Sequence, residues 1–282
     1  QLGQYWGNQP GTSGPVYVGA FVLMLFFLGL FLLKGPMKWA LYAATVLSIL
    51  LSWGRNYMWF TNLFLDYVPL YAKFRTVASI LVIAEFTIPL LAMMALKKLV
   101  DSPEILSEKE DMRSKALSFV FFSPLSIFVR KKRDYIWVSF FMTAGMCVLF
   151  AIMPKLFFPD FVSLSELEAL KTLPAEYFMP ILSNLTEMRV AVFTADCWRS
   201  AAIVTVGTVL LVLMLKGKLN AKTAVALMTA LCLVDMWQVN KRYLNDGMFV
   251  EKSVRDTPQA MTTTDRQILR DQSLDYRVLN LA

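Results

Sequence analysis

The sequence predicts an all-α polytopic membrane protein with about six transmembrane helices, additional interfacial helices and the truncated start of an extracytoplasmic domain. Three observations support this fold class. Hydrophobic residues make up 57% of the 282-residue chain and charged residues only 17%, whereas about 25% of the residues of soluble domains are charged. Six apolar segments are long enough, or nearly so, to cross a bilayer. The tryptophans lie at the ends of these segments, where interfacial aromatic residues belong.

The six predicted spans are judged by the roughly 20 apolar residues that one crossing requires. They cover about 15–33, 38–53, 76–96, 135–153, 200–216 and 222–239. Residues 1–239 therefore form the predicted transmembrane domain. From residue 240 the composition becomes polar, which predicts the start of an extracytoplasmic soluble domain over 240–282. Gln1 is not an initiator residue, and we expect an internal portion of a longer polypeptide.

The distribution of lysine and arginine predicts the orientation. The loops 34–38, 97–134 and 216–222 carry 14 of the 28 basic residues, whereas 54–75 and 154–199 carry seven. The positive-inside rule places the first group in the cytoplasm and both termini outside. The stretch ALSFVFFSPLSIFV, residues 116–129, is an alternative seventh crossing that would invert everything after it. Its 14 residues and central Pro124 favour an interfacial or re-entrant segment instead.

Two further segments predict helices outside the hydrocarbon layer. SLSELEALKTL, residues 163–173, begins with the capping-box pair Ser163 and Glu166 and continues with leucines at helical spacing. NYMWFTNLFLDYVPLYAKF, residues 56–74, is rich in aromatic residues and predicts an interfacial helix that breaks at Pro69.

The composition excludes several classes of function. The chain has no histidine, which removes Ser–His and Cys–His catalysis and most transition-metal sites. Its three cysteines have no CxxC spacing and are typical of core residues. The net charge of +7 matches cytoplasmic loops that face anionic lipids, so nucleic acid is not a predicted partner.

One polar cluster on the predicted outer face suits a lipid phosphate or pyrophosphate. Arg55 closes the second span, Lys73 and Arg75 precede the third, and Asp66 lies between them. Arginine binds phosphate oxygens in a fork. The alternative is that these basic side chains reach up to ordinary lipid headgroups at the membrane edge.

Ionisable residues inside the predicted spans are further candidates. Glu85 lies near the middle of the third span, where a charge is costly unless it faces a cavity or a partner. The alternative is a protonated glutamate bonded to a neighbouring helix. Asp235 is predicted to form a structural pair with Lys241, Arg242 or the arginines of the first outer loop. Asp196 and Arg199, three residues apart, predict a surface ion pair.

The opening stretch QYWGNQPGTSGP, residues 4–15, precedes the first span. It predicts an outer-face loop that either leads rigidly into the helix or forms a wall of a binding cleft. In the second case Gln4 and Asn8 are the candidate groups for binding sugar or acceptor hydroxyls.

Four stretches together resemble the YfhO-like family of bacterial integral membrane proteins. They are QYWGNQPGTSGPVYVG, WGRN…YVPLYAKFRTVAS, VDMWQVNKRYLN and YRVLNLA, in this order. The family is similar to GT-C glycosyltransferases. The resemblance implies an enzyme of the bacterial cytoplasmic membrane that transfers a sugar from a polyprenyl-phosphate carrier to a cell-envelope polymer or lipid on the outer face.

The same resemblance implies the participants. The polyprenyl-phosphate-linked sugar is the donor substrate, no cofactor is covalently bound, and the need for a divalent metal is open. Arg55, Lys73 and Arg75 would bind the lipid phosphate. The catalytic carboxylate of such enzymes lies in the first outer loop, which places it upstream of Gln1 and leaves Asp66 and Glu85 as secondary candidates. The alternatives are a transporter or flippase for a lipid-linked glycan, and a non-catalytic membrane subunit.

Overall fold

The computed structural model describes residues 16–73, 76–109, 111–172, 174–249 and 263–268. These residues are almost entirely helical and contain no strand. The chain divides into two units, Gln1–Asn240 and Lys241–Ala282. The helices, in chain order, are α1 (Ala20–Leu32), α2 (Pro36–Ser52), α3 (Met58–Tyr67), α4 (Leu81–Asp101), α5 (Met112–Phe121), α6 (Asp134–Phe140), α7 (Met146–Ile152), α8 (Pro154–Phe157), α9 (Leu164–Lys171), α10 (Ala175–Leu215), α11 (Ala221–Tyr243) and α12 (Thr263–Ile268).

Four helical segments of the described chain are long and apolar enough to cross a membrane. They are Val77–Asp101, Asp134–Ile152, Glu176–Leu215 and Ala221–Tyr243. The first two spans predicted from the sequence correspond to shorter apolar helices, α1 and α2. At 1.5 Å per residue these helices are about 20 and 26 Å long, less than the roughly 30 Å of a hydrocarbon layer. The helical fold is therefore confirmed for the described residues, with four helices long and apolar enough to cross a membrane, whereas the number of about six crossings is not.

Helix α1 lies at the centre of the first unit. It is apolar on all sides and packs against α4, α6 and α10. Two glycines allow α1 to approach its neighbours closely. A Cβ atom at Gly207 of α10 would collide with the ring of Phe21, and a Cβ atom at Gly29 would lie 3.0 Å from the Leu91 carbonyl oxygen. The helix begins at Ala20 rather than near residue 15 because Gly19, with φ +92°, holds a left-handed conformation.

Helices α2 and α4 are joined by a polar contact inside their interface. The Thr45 and Thr87 hydroxyls lie 2.7 Å apart in buried positions.

Pro89 lies inside α4 and has no N–H to donate to the carbonyl oxygen of Glu85, one turn earlier. This leaves a backbone acceptor without its helical partner next to the one acidic side chain in the apolar stretch of α4.

Helix α10 is much longer than the predicted span of about 200–216. It runs without interruption for 41 residues, or about 60 Å. The sequence-based expectation of a loop up to residue 199 is wrong because the charged residues of 176–199 are spread along a helix that packs against α7, α8 and α9. The uncharged part, 200–215, is about 24 Å long, and the whole helix is about twice as long as a hydrocarbon layer is thick.

The basic loop between α4 and α6 is folded rather than extended. Residues 116–129 form the end of α5 and a separate 3₁₀ turn, Pro124–Phe128, with a break at Phe122 and Ser123. Neither piece has the length of a crossing, in agreement with the interfacial interpretation. An ion pair between Lys132 and Glu108 closes the loop, and the Lys132 amide donates to the Glu108 carbonyl at 3.1 Å.

Candidate functional site

The candidate site lies on the segment that follows α2, which we call the interfacial segment (residues 54–73). It consists of a 3₁₀ turn (Gly54–Tyr57), helix α3 and a second 3₁₀ turn (Tyr71–Lys73). Both turns contact α3. The Thr61 hydroxyl donates to the Gly54 carbonyl oxygen at 2.8 Å and fixes the first turn against the helix. The segment is therefore a compact structure rather than an open loop.

A continuous row of aromatic rings holds the interfacial segment together. The centroid distances are 5.8 Å for Tyr57–Phe60, 5.1 Å for Phe60–Phe64 and 5.7 Å for Phe64–Tyr71. Aromatic pairs at these distances stabilise a fold beyond their buried area. The helix ends at Tyr67, two residues before Pro69, as expected from the missing amide.

The other face of α3 carries an exposed apolar stripe. Trp59, Leu63 and Tyr67 follow one another at four-residue spacing, with exposed fractions of 74%, 47% and 78%. Leu70, 74% exposed, continues the stripe with a left-handed φ of 69° that turns the chain back. A helix with exposed aromatic residues on one face and charges beside them is typical of the membrane–water interface.

The charged side chains of the interfacial segment are exposed. Arg55 lies in the first turn, Asp66 in α3 and Lys73 in the second turn. Within the described part of the chain, none of the three forms an ion pair or a side-chain hydrogen bond. The structure thus carries Arg55 and Lys73 on the two turns that flank one helix. Arg75, Gln4 and Asn8 lie outside the described residues.

Glu85 occupies the edge of the packed face of α4. It is half-buried, with the buried Ala84 and Thr87 on one side and Phe86, 66% exposed, on the other. It lies 16 residues from the end of α4 at Asp101, which is about 24 Å along the helix axis. Glu85 therefore lies within the apolar stretch of α4 that precedes Lys97.

Asp235 forms a cluster that the sequence located only in part. Its carboxylate is 1% exposed and accepts hydrogen bonds from the Tyr17 hydroxyl at 2.8 Å and the Ala20 amide at 3.0 Å. Arg199 Nη2 lies 3.9 Å from Asp235 Oδ1, and Arg199 Nη1 lies 3.7 Å from Asp196 Oδ1. A structural pair for Asp235 was predicted, but Arg199 and Tyr17 were not among its predicted partners.

The Asp235 cluster joins three elements at one level. Asp235 is 14 residues from the start of α11, and Arg199 is 16 residues from the end of α10, so both lie about 21–24 Å along their antiparallel helices. Tyr17 and Ala20 belong to the start of α1. Because both oxygens of Asp235 are occupied, the arrangement fixes α1 to α10 and α11 and offers no open carboxylate to a substrate.

A second buried ion pair was missed by the sequence analysis. Arg189 of α10 is fully buried and donates to Glu166 Oε1 at 2.6 Å, to Glu166 Oε2 at 2.9 Å and to the Phe161 carbonyl oxygen at 2.8 Å. Helix α9 and its capping box between Ser163 and Glu166 are confirmed. The capping glutamate therefore has a second role, for which the only sequence signal is a single arginine in the apolar stretch around residue 189.

This contact also changes the acidity of Glu166. Hydrogen bonds from the Arg189 guanidinium, together with those from Ser163, lower the pKa of the Glu166 carboxyl from its usual 4.5 to about 2. The carboxylate is thus charged at every physiological pH and holds α9 against α10.

Among the described residues, no group of three acidic or cysteine side chains is placed to hold a metal ion. No protein-family model matches this chain, and no match is found among curated proteins or solved structures.

Proposed function

We propose that this chain is part of a membrane glycosyltransferase that transfers a sugar from a polyprenyl-phosphate carrier to a cell-envelope acceptor on the outer face of the bacterial cytoplasmic membrane. The observation that carries the proposal is the interfacial segment. It presents Arg55 and Lys73 without protein partners in the described chain, beside an exposed aromatic stripe. The stripe would lie among lipid headgroups, where both cations could reach a carrier phosphate.

The other charged residues support a division of roles. Arg189 and Arg199 are held by carboxylates of the protein itself, so they are not available to a phosphate. Arg55 and Lys73 are available, and Arg75 follows in the sequence. Asp66, exposed on α3, and Glu85, half-buried in α4, are secondary candidates for the catalytic carboxylate. Gln4 and Asn8 remain predictions for binding the sugar or the acceptor.

Sugar transfer tests this proposal directly. Membranes containing the polypeptide as the cell makes it are supplied with a polyprenyl-phosphate donor that carries a radiolabelled sugar. We expect label in an envelope polymer or lipid, and no label with membranes that lack the protein. Absence of transfer in membranes where a known polyprenyl-phosphate-dependent transferase is active would contradict the proposal.

The labelled donor also distinguishes a glycosyltransferase from the alternative, a flippase for a lipid-linked glycan, when the position of the labelled lipid is measured as well as sugar transfer. Glu85 is the observation in its favour, since a half-buried acidic residue deep in an apolar helix is typical of transport proteins. A flippase would move the labelled lipid across the membrane without transferring its sugar, and Glu85→Gln would abolish the movement. A non-catalytic subunit would do neither.

A further inference from the structure

A groove between α6 and α10 opens at the end of the bundle where the basic loops lie. Two adjoining cavities form it. One, which we call the apolar cavity, has a volume of 340 Å³ and is lined mainly by apolar residues of both helices, with two threonines along α10 and two lysines at its end. The other, of 450 Å³, is lined mainly by the start of α6, the end of α10 and the 3₁₀ turn Pro103–Ser107. Three residues border both cavities: Trp137, Val212 and Lys216.

The apolar cavity runs along α10 away from the basic end. It extends from Lys216 back to Thr205, which is about 16 Å along the helix axis. This is roughly half the thickness of the hydrocarbon layer, the depth of one leaflet. Its rim faces outward, because Trp137 is 53% and Val209 is 52% exposed. A hydrocarbon chain could therefore enter sideways from the bilayer.

The polar part of the groove carries an excess of positive charge. Arg133 and Lys216 line the polar cavity, and Lys218 lines the adjoining cavity next to Lys216; all three side chains are exposed. The one carboxylate that lines it, Asp134, already accepts hydrogen bonds from the Arg130 and Lys131 amides at 2.9 Å and lies 3.7 Å from Arg133 Nε. Within the described chain, Lys216 and Lys218 make no ion pair, so their charge is left for a ligand.

We propose that this groove binds one anionic glycerophospholipid of the surrounding bilayer. Its phosphate lies at Arg133, Lys216 and Lys218, and one acyl chain lies in the apolar cavity beside Trp137 and Val209. The order of the two cavities matches the order of headgroup and chain in such a lipid. Basic pockets between transmembrane helices on the cytoplasmic side commonly bind anionic headgroups. The inference does not depend on sugar transfer.

The position of Trp137 provides the test. The chain is reconstituted in phosphatidylcholine vesicles that contain a small fraction of brominated phosphatidylglycerol or of brominated phosphatidylcholine, since bromine quenches a tryptophan that it contacts. The signal of Trp137 is the difference between the wild-type protein and Trp137→Phe. We expect much stronger quenching by brominated phosphatidylglycerol. Equal quenching by the two lipids overturns the proposal.

Two variants locate the binding. The double variant Lys216→Gln, Lys218→Gln should lose about ten-fold in preference for phosphatidylglycerol. The matched control, Lys97→Gln with Lys222→Gln, removes two exposed lysines from the same basic loops but not from the groove, and should keep the preference. An equal loss in both double variants shows general surface attraction and contradicts a site. If the lysine variant fails to fold, Val209→Phe replaces it as the test. This substitution fills the apolar cavity without a change in charge and should reduce the quenching of Trp137 by brominated phosphatidylglycerol.

Competition identifies the occupant. Unlabelled phosphatidylglycerol should relieve the quenching, whereas inorganic phosphate at matched ionic strength should not, because it has no chain to place in the apolar cavity. Relief by polyprenyl phosphate alone would assign the groove to the carrier lipid and overturn the proposal for a bilayer phospholipid.

Discussion

The two ends of the helix bundle carry their positive charges in different ways. At the basic end, which includes the loops 34–38, 97–134 and 216–222, exposed lysines surround the mouth of a groove. At the opposite end two arginines are withdrawn into the protein, Arg189 completely and Arg199 to 20% side-chain exposure, and each faces a carboxylate of another element. Arg55 and Lys73, near the same end, remain exposed.

The number of lysines and arginines in each loop predicts which side of the membrane the loop faces, but it treats every cation as equivalent. The contacts separate structural cations, which are Arg189, Arg199 and, at the basic end, the buried Lys132, from those available to ligands. The comparison therefore predicts that charge removal at buried pairs lowers stability, while removal at exposed cations changes binding and leaves the fold intact.

The largest effect on stability is expected for Glu166→Gln. The substitution removes the negative charge that faces the fully buried Arg189 guanidinium, a loss of about 3 kcal/mol. Thermal unfolding in detergent micelles measures it. Glu168→Gln, an exposed glutamate on the same helix, is the control and should unfold at the wild-type temperature. Equal unfolding temperatures for the two variants would show that the Arg189 contact is not structural.

The same pair predicts how stability depends on pH. Because the pKa of Glu166 is about 2 in the folded protein and near its usual 4.5 in the unfolded chain, the pair stabilises the fold fully above the unfolded pKa. This contribution is lost as the pH falls from about 5 towards 2. The unfolding temperature of the wild-type protein should therefore decline over this range more steeply than that of Glu166→Gln. Parallel curves would argue against the lowered pKa.

A smaller loss is expected for Tyr17→Phe, about 2 kcal/mol, because its hydroxyl donates to the buried Asp235 carboxylate. Tyr42→Phe is the matched control. Its hydroxyl donates to the Phe121 carbonyl oxygen at an exposed position, so it should lose less than about 1 kcal/mol. The free energy of unfolding of both variants in denaturant gives the comparison. If Tyr42→Phe were the more damaging, Asp235 would not be the anchor of α1.

The smallest stability effect is expected at the basic end. Glu108→Gln removes the partner of Lys132, whose side chain is 8% exposed, but the Glu108 side chain is 57% exposed, so the pair is partly open to water and weaker than the Arg189 pair. Its unfolding temperature should fall clearly less than that of Glu166→Gln. A fall as large as that of Glu166→Gln would remove the distinction between the two ends.

Most of the architecture follows from the sequence because hydrophobicity decides it. The apolar runs located the long apolar helices, though not all six of them at the length of a crossing. Ser163 with Glu166 located α9 because a capping box is a local signal. The length of α10 did not follow, since tertiary packing keeps residues 175–199 helical despite their charges. The partners of the two buried ion-pair carboxylates could not be predicted either. Tyr17 is 218 residues from Asp235 in the sequence, and Arg189 is 23 residues from Glu166. No local sequence pattern encodes contacts over such separations.

The candidate site was predicted in part for the same reason. Aromatic residues and Pro69 in 56–74 are local signals, and the structure has a short helix there that ends before the proline. The exposure of Arg55, Asp66 and Lys73 depends on the folded segment and could not be derived from their spacing. Their role in binding a phosphate remains a prediction.

The most direct test of the central claim is the Michaelis constant for the polyprenyl-phosphate donor in the sugar-transfer assay. The double variant Arg55→Gln, Lys73→Gln is compared with Lys171→Gln, an exposed lysine of α9 on the same predicted face. The account predicts that the double variant raises the constant by at least about ten-fold, since each charge-assisted contact contributes about 1.5 kcal/mol, while Lys171→Gln leaves it unchanged. Wild-type constants in both variants would contradict the assignment of Arg55 and Lys73 to the carrier phosphate.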